Sequence, residues 1–330
     1  MEGVTDPLDR ALLDDWQRGF PVTDRPFGVL AQALGTTEAE VISRLRKRVA
    51  AGQVTRIGAT CAPNTISAST LAAVAAPEAR VEEVARIIGA EDGVNHSYLR
   101  ENRWNLWFVV TGSDRAHVDG ALARIGRRSG LRVLDLALVR PFNLDLGFSL
   151  RGTQDAAPVR PPPDTGALRP GDRALVQHLL RGLPLEPRPY AGIARALGRE
   201  AAEVQERIRR LVAARIISRF GVIVRHRALG WRANAMVVWD IDHDAITRAG
   251  PVLAAQPGIT LCYERRPVPG VWPYRLYSMI HARSRAEALA RLRDAAGLAP
   301  LAGAPHLALF SSRCFKQTGA MAADTPRATA

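Results

Sequence analysis

His96, Tyr98 and Arg100 stand at alternate positions within Gly93-Val-Asn-His-Ser-Tyr-Leu-Arg-Glu-Asn-Arg-Trp-Asn-Leu-Trp-Phe108. The segment's alternation reads as two strands, and it gathers an imidazole suited to proton transfer, a phenol, and a guanidinium suited to bidentate anion binding. A second segment, Gly258-Ile-Thr-Leu-Cys-Tyr-Glu-Arg-Arg-Pro-Val-Pro-Gly-Val-Trp-Pro-Tyr-Arg-Leu-Tyr277, repeats Gly93, Tyr98 and Arg100 as Gly258, Tyr263 and Arg265, but has Leu261 where the first has His96. The hairpin is present twice, and one copy has diverged.

The elements that position these residues are duplicated as well. Residues 9–58 and 172–221 align without a gap at an offset of 163, and roughly twenty of about fifty positions are identical, Arg56-Ile-Gly58 against Arg219-Phe-Gly221 among them. The first copy reads as three helices over 9–19, 27–34 and 38–51, the last opened by the capping box Thr37-x-x-Glu40. Val41, Leu45 and Val49 share one face of it, repeated as Val204, Ile208 and Val212. This is a helix-turn-helix pattern with a wing expected at 54–59. A strand (67–76), helix (81–88), hairpin (94–110), helix (115–128) and strand (132–141) follow, and the order recurs at 233–241, 246–255, 260–281, 285–296 and 306–316.

The expected fold class is therefore α+β: two tandem copies of a winged helix-turn-helix followed by a ferredoxin-like β-α-β-β-α-β domain. Both helices lie on one face of each sheet, and the duplicate covers the other. The units divide at 1–60, 61–150, 171–225 and 226–320, with a Pro-rich linker at 151–170 and a disordered tail at 321–330.

A chain of 330 residues, 47% hydrophobic, can bury two or more cores. Cys61, Cys262 and Cys314 form no C-x-x-C, so neither a zinc cage nor a disulfide framework is indicated, and reduced thiols point to the cytoplasm. No signal pattern and no apolar run of membrane-spanning length is seen. The net charge of +13 is carried almost wholly by arginine, Lys47 and Lys316 being the lysines, and arginine pairs with carboxylates as readily as with phosphates.

A helix-turn-helix followed by a ferredoxin-like domain resembles the Lrp/AsnC transcription regulators. More specific are Arg219-Phe-Gly-Val-Ile-Val-Arg-His-Arg-Ala-Leu-Gly-Trp231 with Ala233-Asn-Ala-Met-Val-Val-Trp239, Asn95-His-Ser-Tyr-Leu-Arg100 with Trp104-Asn-Leu-Trp-Phe108, Trp272-Pro-Tyr274, and Arg313-Cys-Phe-Lys-Gln-Thr-Gly319. Together these look like the siroheme decarboxylases, in particular the fused two-subunit form of haem d1 biosynthesis. The resemblance covers essentially the whole chain apart from the linker and tail, and it implies loss of carbon dioxide from the C12 and C18 acetates of siroheme, giving 12,18-didecarboxysiroheme. It implies no separate organic cofactor, since the iron belongs to the substrate. The family pattern often has a histidine shortly after the motif's arginine, where Asn102 stands here.

Siroheme carries eight carboxylates around an apolar disc. Under the resemblance Arg100, Arg225, Arg265 and Arg266 are the expected carboxylate clamps, and Trp104, Trp107 and Tyr274 the walls of the slot. His96 and His226 are the expected proton donors, with Tyr98 a second source. Ordinary alternatives are surface arginine pairs and sheet packing of aromatics. No protein-held metal is expected. The partner is siroheme, at one productive site where the halves pack as an intrachain pseudo-dimer, with further subunits left open.

A DNA-binding regulator is the rival reading, and a siroheme carrier a third. A recognition helix reads bases with its N-terminal residues. Here those are Thr36-Thr-Glu-Ala-Glu40 and Arg199-Glu-Ala-Ala-Glu203, whose carboxylates oppose a polyanion. Specific DNA binding is not expected.

Overall fold

The computed structural model describes residues 4–145, 147, 149 and 161–322. The first helical unit comprises α1 (Pro7–Asp14), α2 (Pro26–Ala33) and α3 (Glu38–Ala50); its duplicate comprises α6 (Asp172–Arg181), α7 (Pro189–Leu197) and α8 (Ala201–Ala213). The Asp6 carboxylate opens α1 by accepting from the Leu8 and Asp9 amides. The helix ends at Asp14, short of the expected Gly19, because the next residues pair with a strand instead: Val222 N donates to Trp16 O and Phe20 N to Phe220 O.

Thr37 caps α3 through the Glu40 amide, but Glu40 turns forward to Arg44 (2.6 Å), so half of the expected capping box forms. Val41 and Leu45 are buried, whereas Val49, like Val212, lies at the rim of its face and is exposed.

The expected wing is a different object. β1 (Val54–Cys61) pairs antiparallel with β6 (Ile217–Val224) of the other half, with Gly58 opposite Gly221. Each copy thus supplies the partner for backbone groups that a lone edge would leave open. Both glycines are required by close packing: a Cβ at Gly58 would stand 2.2 Å from Leu179 O, and one at Gly221 2.3 Å from Gln17 O. The N-terminal segment of each unit packs on the other unit's strand, and all six helices share one core with the ribbon.

Each αβ half is a four-stranded sheet with its two helices outside. The first contains β2 (Ala68–Val74), α4 (Val81–Gly89), β3 (Val94–Arg100), β4 (Leu106–Gly112), α5 (Arg115–Ser129) and β5 (Val133–Asn143). The second contains β7 (Ala233–Trp239), α9 (His243–Ala254), β8 (Ile259–Arg265), β9 (Leu276–Ala282), α10 (Arg285–Ala296) and β10 (His306–Gln317). The sheets do more than face one another. β5 begins on β2 and ends on β8, and β10 begins on β7 and ends on β3. The eight strands therefore close in the order β10-β3-β4-β2-β5-β8-β9-β7, which removes every edge.

Within the stretch expected as linker, residues 151–160 lie outside those described. The rest is held: Arg215 donates to the Pro161 and Pro162 carbonyls, and Thr165–Ala167 form a 3-10 turn. Residues 323–330 of the expected tail also lie outside the described residues. Met321 and Ala322 are not loose but buried, their amides bonded to Thr111 Oγ1 and Gln177 Oε1. Among the described residues no helix is long and apolar enough to cross a membrane.

Candidate active site

Strand alternation sends His96, Tyr98 and Arg100 into the barrel from β3, and Leu261, Tyr263 and Arg265 from β8. They line a cavity of about 700 Å³ between the sheets, which reaches the β1–β6 ribbon and Pro161–Pro163. That volume is in the range of small-molecule sites. The rest of the interior is a packed cluster in which Trp107, Trp272, Tyr263 and Tyr277 sit among aliphatic side chains such as Leu134, Leu136, Val238 and Leu309. Trp107 lines the cavity and meets Trp272 at a tilt, ring centroids 5.3 Å apart; Tyr274 meets Trp272 edge-on at 4.8 Å, and Trp104 accepts the Trp107 indole N–H through its carbonyl. Trp104 and Tyr274, expected as slot walls, thus stand behind the wall and support it.

Arg100 and Arg265 are held alike. Each sends Nη1 across the halves to a backbone carbonyl, Arg100 to Leu309 (2.9 Å) and Arg265 to Leu136 (2.6 Å). Each lies over its neighbouring tyrosine, at 5.6 and 4.6 Å. In both, Nε is buried without a hydrogen-bond partner. Burial pulls Arg100 down to about 10, the cost of a charge with no carboxylate beside it. An incoming carboxylate would meet two guanidiniums already anchored through Nη1.

Arg225 and Arg266 are exposed and do not line the cavity, a correction to their expected place in the clamp. Arg266 follows Arg265 in an extended chain and must point the other way. Arg225 opens the turn after β6, where its charge reaches Tyr98 and Cys314 from outside the cavity.

Arginines missed in the sequence stand nearby. Arg18 and Arg215 line the cavity where it meets the helical units, and Asp145 pairs with Arg18 at 2.8 Å and Arg219 at 3.5 Å. Arg56 and Arg219 occupy equivalent places in the ribbon, and burial lowers both. Their identity at the duplication offset was the available signal.

His96 and His226 both line the cavity. His96 Nδ1 lies 2.8 Å from Asn95 Oδ1, which fixes the proton on Nδ1 and leaves Nε2 as the nitrogen able to accept one. Burial first, then the Arg56 charge, holds this imidazole down at about 4. Burial, then His281 and Arg219, pushes His226 well below the imidazole range. Without substrate both rings are therefore neutral near pH 7. Tyr98 is raised by burial and keeps its phenolic proton.

His281, which sequence reasoning left without a role, lines the same cavity 5.7 Å from His226 and shares a hydrogen-bond network with Asn234 and Thr260. Its pairing across β7 and β9 is not local in sequence. Cys61 is also at the wall, but burial lifts its thiol to about 12, so it is no nucleophile near neutrality. Asn102 caps the β3–β4 turn by accepting from the Trp104 amide and does not face the cavity, so a histidine at this place would stand away from His96. Among the described residues no cluster of His, Cys, Asp or Glu could hold a metal ion.

A doubled Lrp/AsnC-type fold, its barrel hollowed into an arginine- and histidine-lined cavity, defines a binder of polyanionic small molecules with groups able to move protons. Comparison with known proteins narrows the class. The AsnC-like ligand binding domain matches residues 66–142 and 228–316, and the siroheme decarboxylase NirDL-like HTH domain matches 9–54 and 172–217. The siroheme decarboxylase NirDL subunit of Paracoccus pantotrophus is 55% identical over 97% of this chain and 98% of its own. The crystal structure of the siroheme decarboxylase NirDL superposes with a TM-score of 0.68 at 25% identity, over 96% of this chain and 94% of that one. Its complex with an iron-uroporphyrin III analogue gives 0.66 at 25% identity, over 95% and 93%. The chain belongs to the siroheme decarboxylase family, in the fused form that carries both repeats on one polypeptide.

Proposed function

We propose that this chain converts siroheme to 12,18-didecarboxysiroheme in haem d1 biosynthesis, using the cavity lined by Arg100 and Arg265 between its halves and no organic cofactor. The observation that carries the reading is the pair Arg100 and Arg265, anchored from equivalent places with unpartnered buried Nε atoms, in the same cavity as His96 and His226. Each guanidinium would take a substrate carboxylate through its Nε edge. Trp107, Leu71 and Met236 offer the apolar wall that a macrocycle needs.

In each half-reaction the bond from the methylene carbon to the carboxylate breaks, carbon dioxide leaves, and the electron pair passes onto the carbon and its macrocycle. One proton then completes the methyl group. His96 and His226 are the proposed proton carriers. They are neutral before substrate binds, and the negative charge of bound siroheme favours their protonated form, so the proton would be taken up with the substrate. His96 Nε2 is also free to approach the substrate iron.

Recruitment of the helical units into the enclosure fits this reading better than gene regulation. Glu38 at the start of α3 pairs with Arg25, and Glu40 with Arg44, leaving carboxylates rather than open cations where a DNA reader would need to meet phosphates. Anaerobic incubation with siroheme should give a product lighter by two carbon dioxide units, with one siroheme bound per chain. Tight binding with unchanged mass would leave a carrier, and two equivalent active sites would remove the single-cavity reading.

A further inference from the structure

We infer that Asn234 is a positioning residue that locks Arg100 and His281 to each other across the halves, so that one wall of the cavity, and only one, presents a carboxylate clamp beside an imidazole of fixed tautomer. This rests on the siroheme reading only for what Arg100 binds. Asn234 is the second residue of β7 and lies opposite His281 of β9. Its amide oxygen accepts from Arg100 Nη1 (3.3 Å) and Ser311 Oγ (3.1 Å). Arginine has donors and no acceptor, so the oxygen must face Arg100, which forces the amide NH2 toward His281.

The rest of the proton arrangement follows. Asn234 Nδ2 donates to His281 Nε2 at 2.7 Å, so the ring hydrogen sits on Nδ1 and is donated to Thr260 Oγ1, also at 2.7 Å. Thr260 passes its own hydrogen to the Met279 carbonyl at 3.1 Å. A proton added at Nε2 would set donor against donor. Burial, then the Arg100 charge, already holds this imidazole down at about 4. The groups that face it are Arg100 from β3 and the His226 ring, and Asp145 is the one carboxylate among the described residues lining the cavity.

The equivalent of Asn234 in the first half is Ser69, the second residue of β2. A serine cannot span two partners in this way, so the relay is built once. The two otherwise matched arginines therefore differ: Arg100 is tied to an imidazole, and Arg265 is not. A substrate whose edge carries two similar acetates would meet unlike walls.

Two variants of the full chain test this. Asn234→Asp keeps the shape but offers acceptors alone, so His281 must carry a proton on Nε2. In 15N spectra of histidine-labelled protein, the parent should keep His281 as the neutral Nδ1–H tautomer down to about pH 5, and Asn234→Asp should move its titration into the neutral range. Asn234→Ser, which copies Ser69, should raise the siroheme Kd about tenfold in the parent and less than twofold in an Arg100→Lys background. An unmoved His281 titration in Asn234→Asp, or additive effects in the cycle, overturns the proposal. A parent that binds no siroheme refutes the functional reading instead, and the 15N arm then decides this proposal alone.

Discussion

Replacing Arg100 with methionine should weaken siroheme binding while leaving the empty protein close to its original stability. The side chain is 6% exposed, and its fall from 12.5 to about 10 corresponds to a desolvation cost on the order of 3 kcal/mol for holding the charge inside. Methionine removes that cost. It also takes a donor from Leu309 O and from Asn234 Oδ1, a loss of roughly 1–3 kcal/mol. The terms oppose, so the net change in unfolding free energy should stay within about 2 kcal/mol of zero. Binding has no such compensation: a charge-assisted pair to a carboxylate contributes roughly 1.5–3 kcal/mol, or about a ten- to hundredfold rise in Kd.

Anaerobic absorbance titration with siroheme, run beside a urea melt, reads both quantities. Phe108→Ala serves as the contrast, since it empties core volume and should cost about 3–5 kcal/mol. An Arg100→Met protein that is folded and binds with unchanged Kd would refute the clamp. A loss of stability matching that of Phe108→Ala would show Arg100 to be a structural residue.

His96→Ala and His226→Ala should each lower the decarboxylation rate by roughly 10²–10⁴, read in single turnovers, while siroheme still binds; equal losses of binding and rate would argue against proton transfer. Acid should destabilise the empty protein between about pH 6.5 and 4. His96 and His281 refuse protons that the unfolded chain accepts below 6.5, so their contribution is complete above that value and lost as pH falls toward 4. For His281 alone the loss is roughly 2 kcal/mol at about pH 5, and His281→Gln should flatten that part of the curve; an unfolding midpoint constant across this window in the parent would contradict it. Gly250→Ala should cost about 1–3 kcal/mol and weaken siroheme binding, because its Cβ would fall 2.2 Å from the ring of Phe142, a residue of the cavity wall. Unchanged melting and affinity would mean that Phe142 yields freely.

Periodicity located most elements because it is a local property. α10 spans the expected 285–296, and β3 starts at Val94, where the first hairpin was expected to begin. What periodicity does not contain is the partner of a strand. The β1–β6 ribbon and the crossing of β5 and β10 between sheets join residues more than a hundred positions apart, and these pairings turn two expected domains into one barrel. The same limit hid Asn234 opposite His281. Two misplacements had a local remedy: adjacent Arg265 and Arg266 cannot both face inward on a strand, and Trp104 falls in a turn rather than on β4.

Fusion of the two copies explains how such a site can arise. In a symmetric homodimer any change to a cavity residue appears on both walls. Here Gly58 and Gly221, which packing requires twice, are both kept, and so are the anchored arginines Arg100 and Arg265. Positions that packing leaves open have separated: His96 from Leu261, Asn234 from Ser69, His281 from Thr111. All three changes put titratable or amide groups on the side of Arg100. The opposite wall keeps a clamp without an imidazole at the matching place. Duplication supplied a cavity with two equivalent anion grips, and divergence gave one of them the groups that can move a proton.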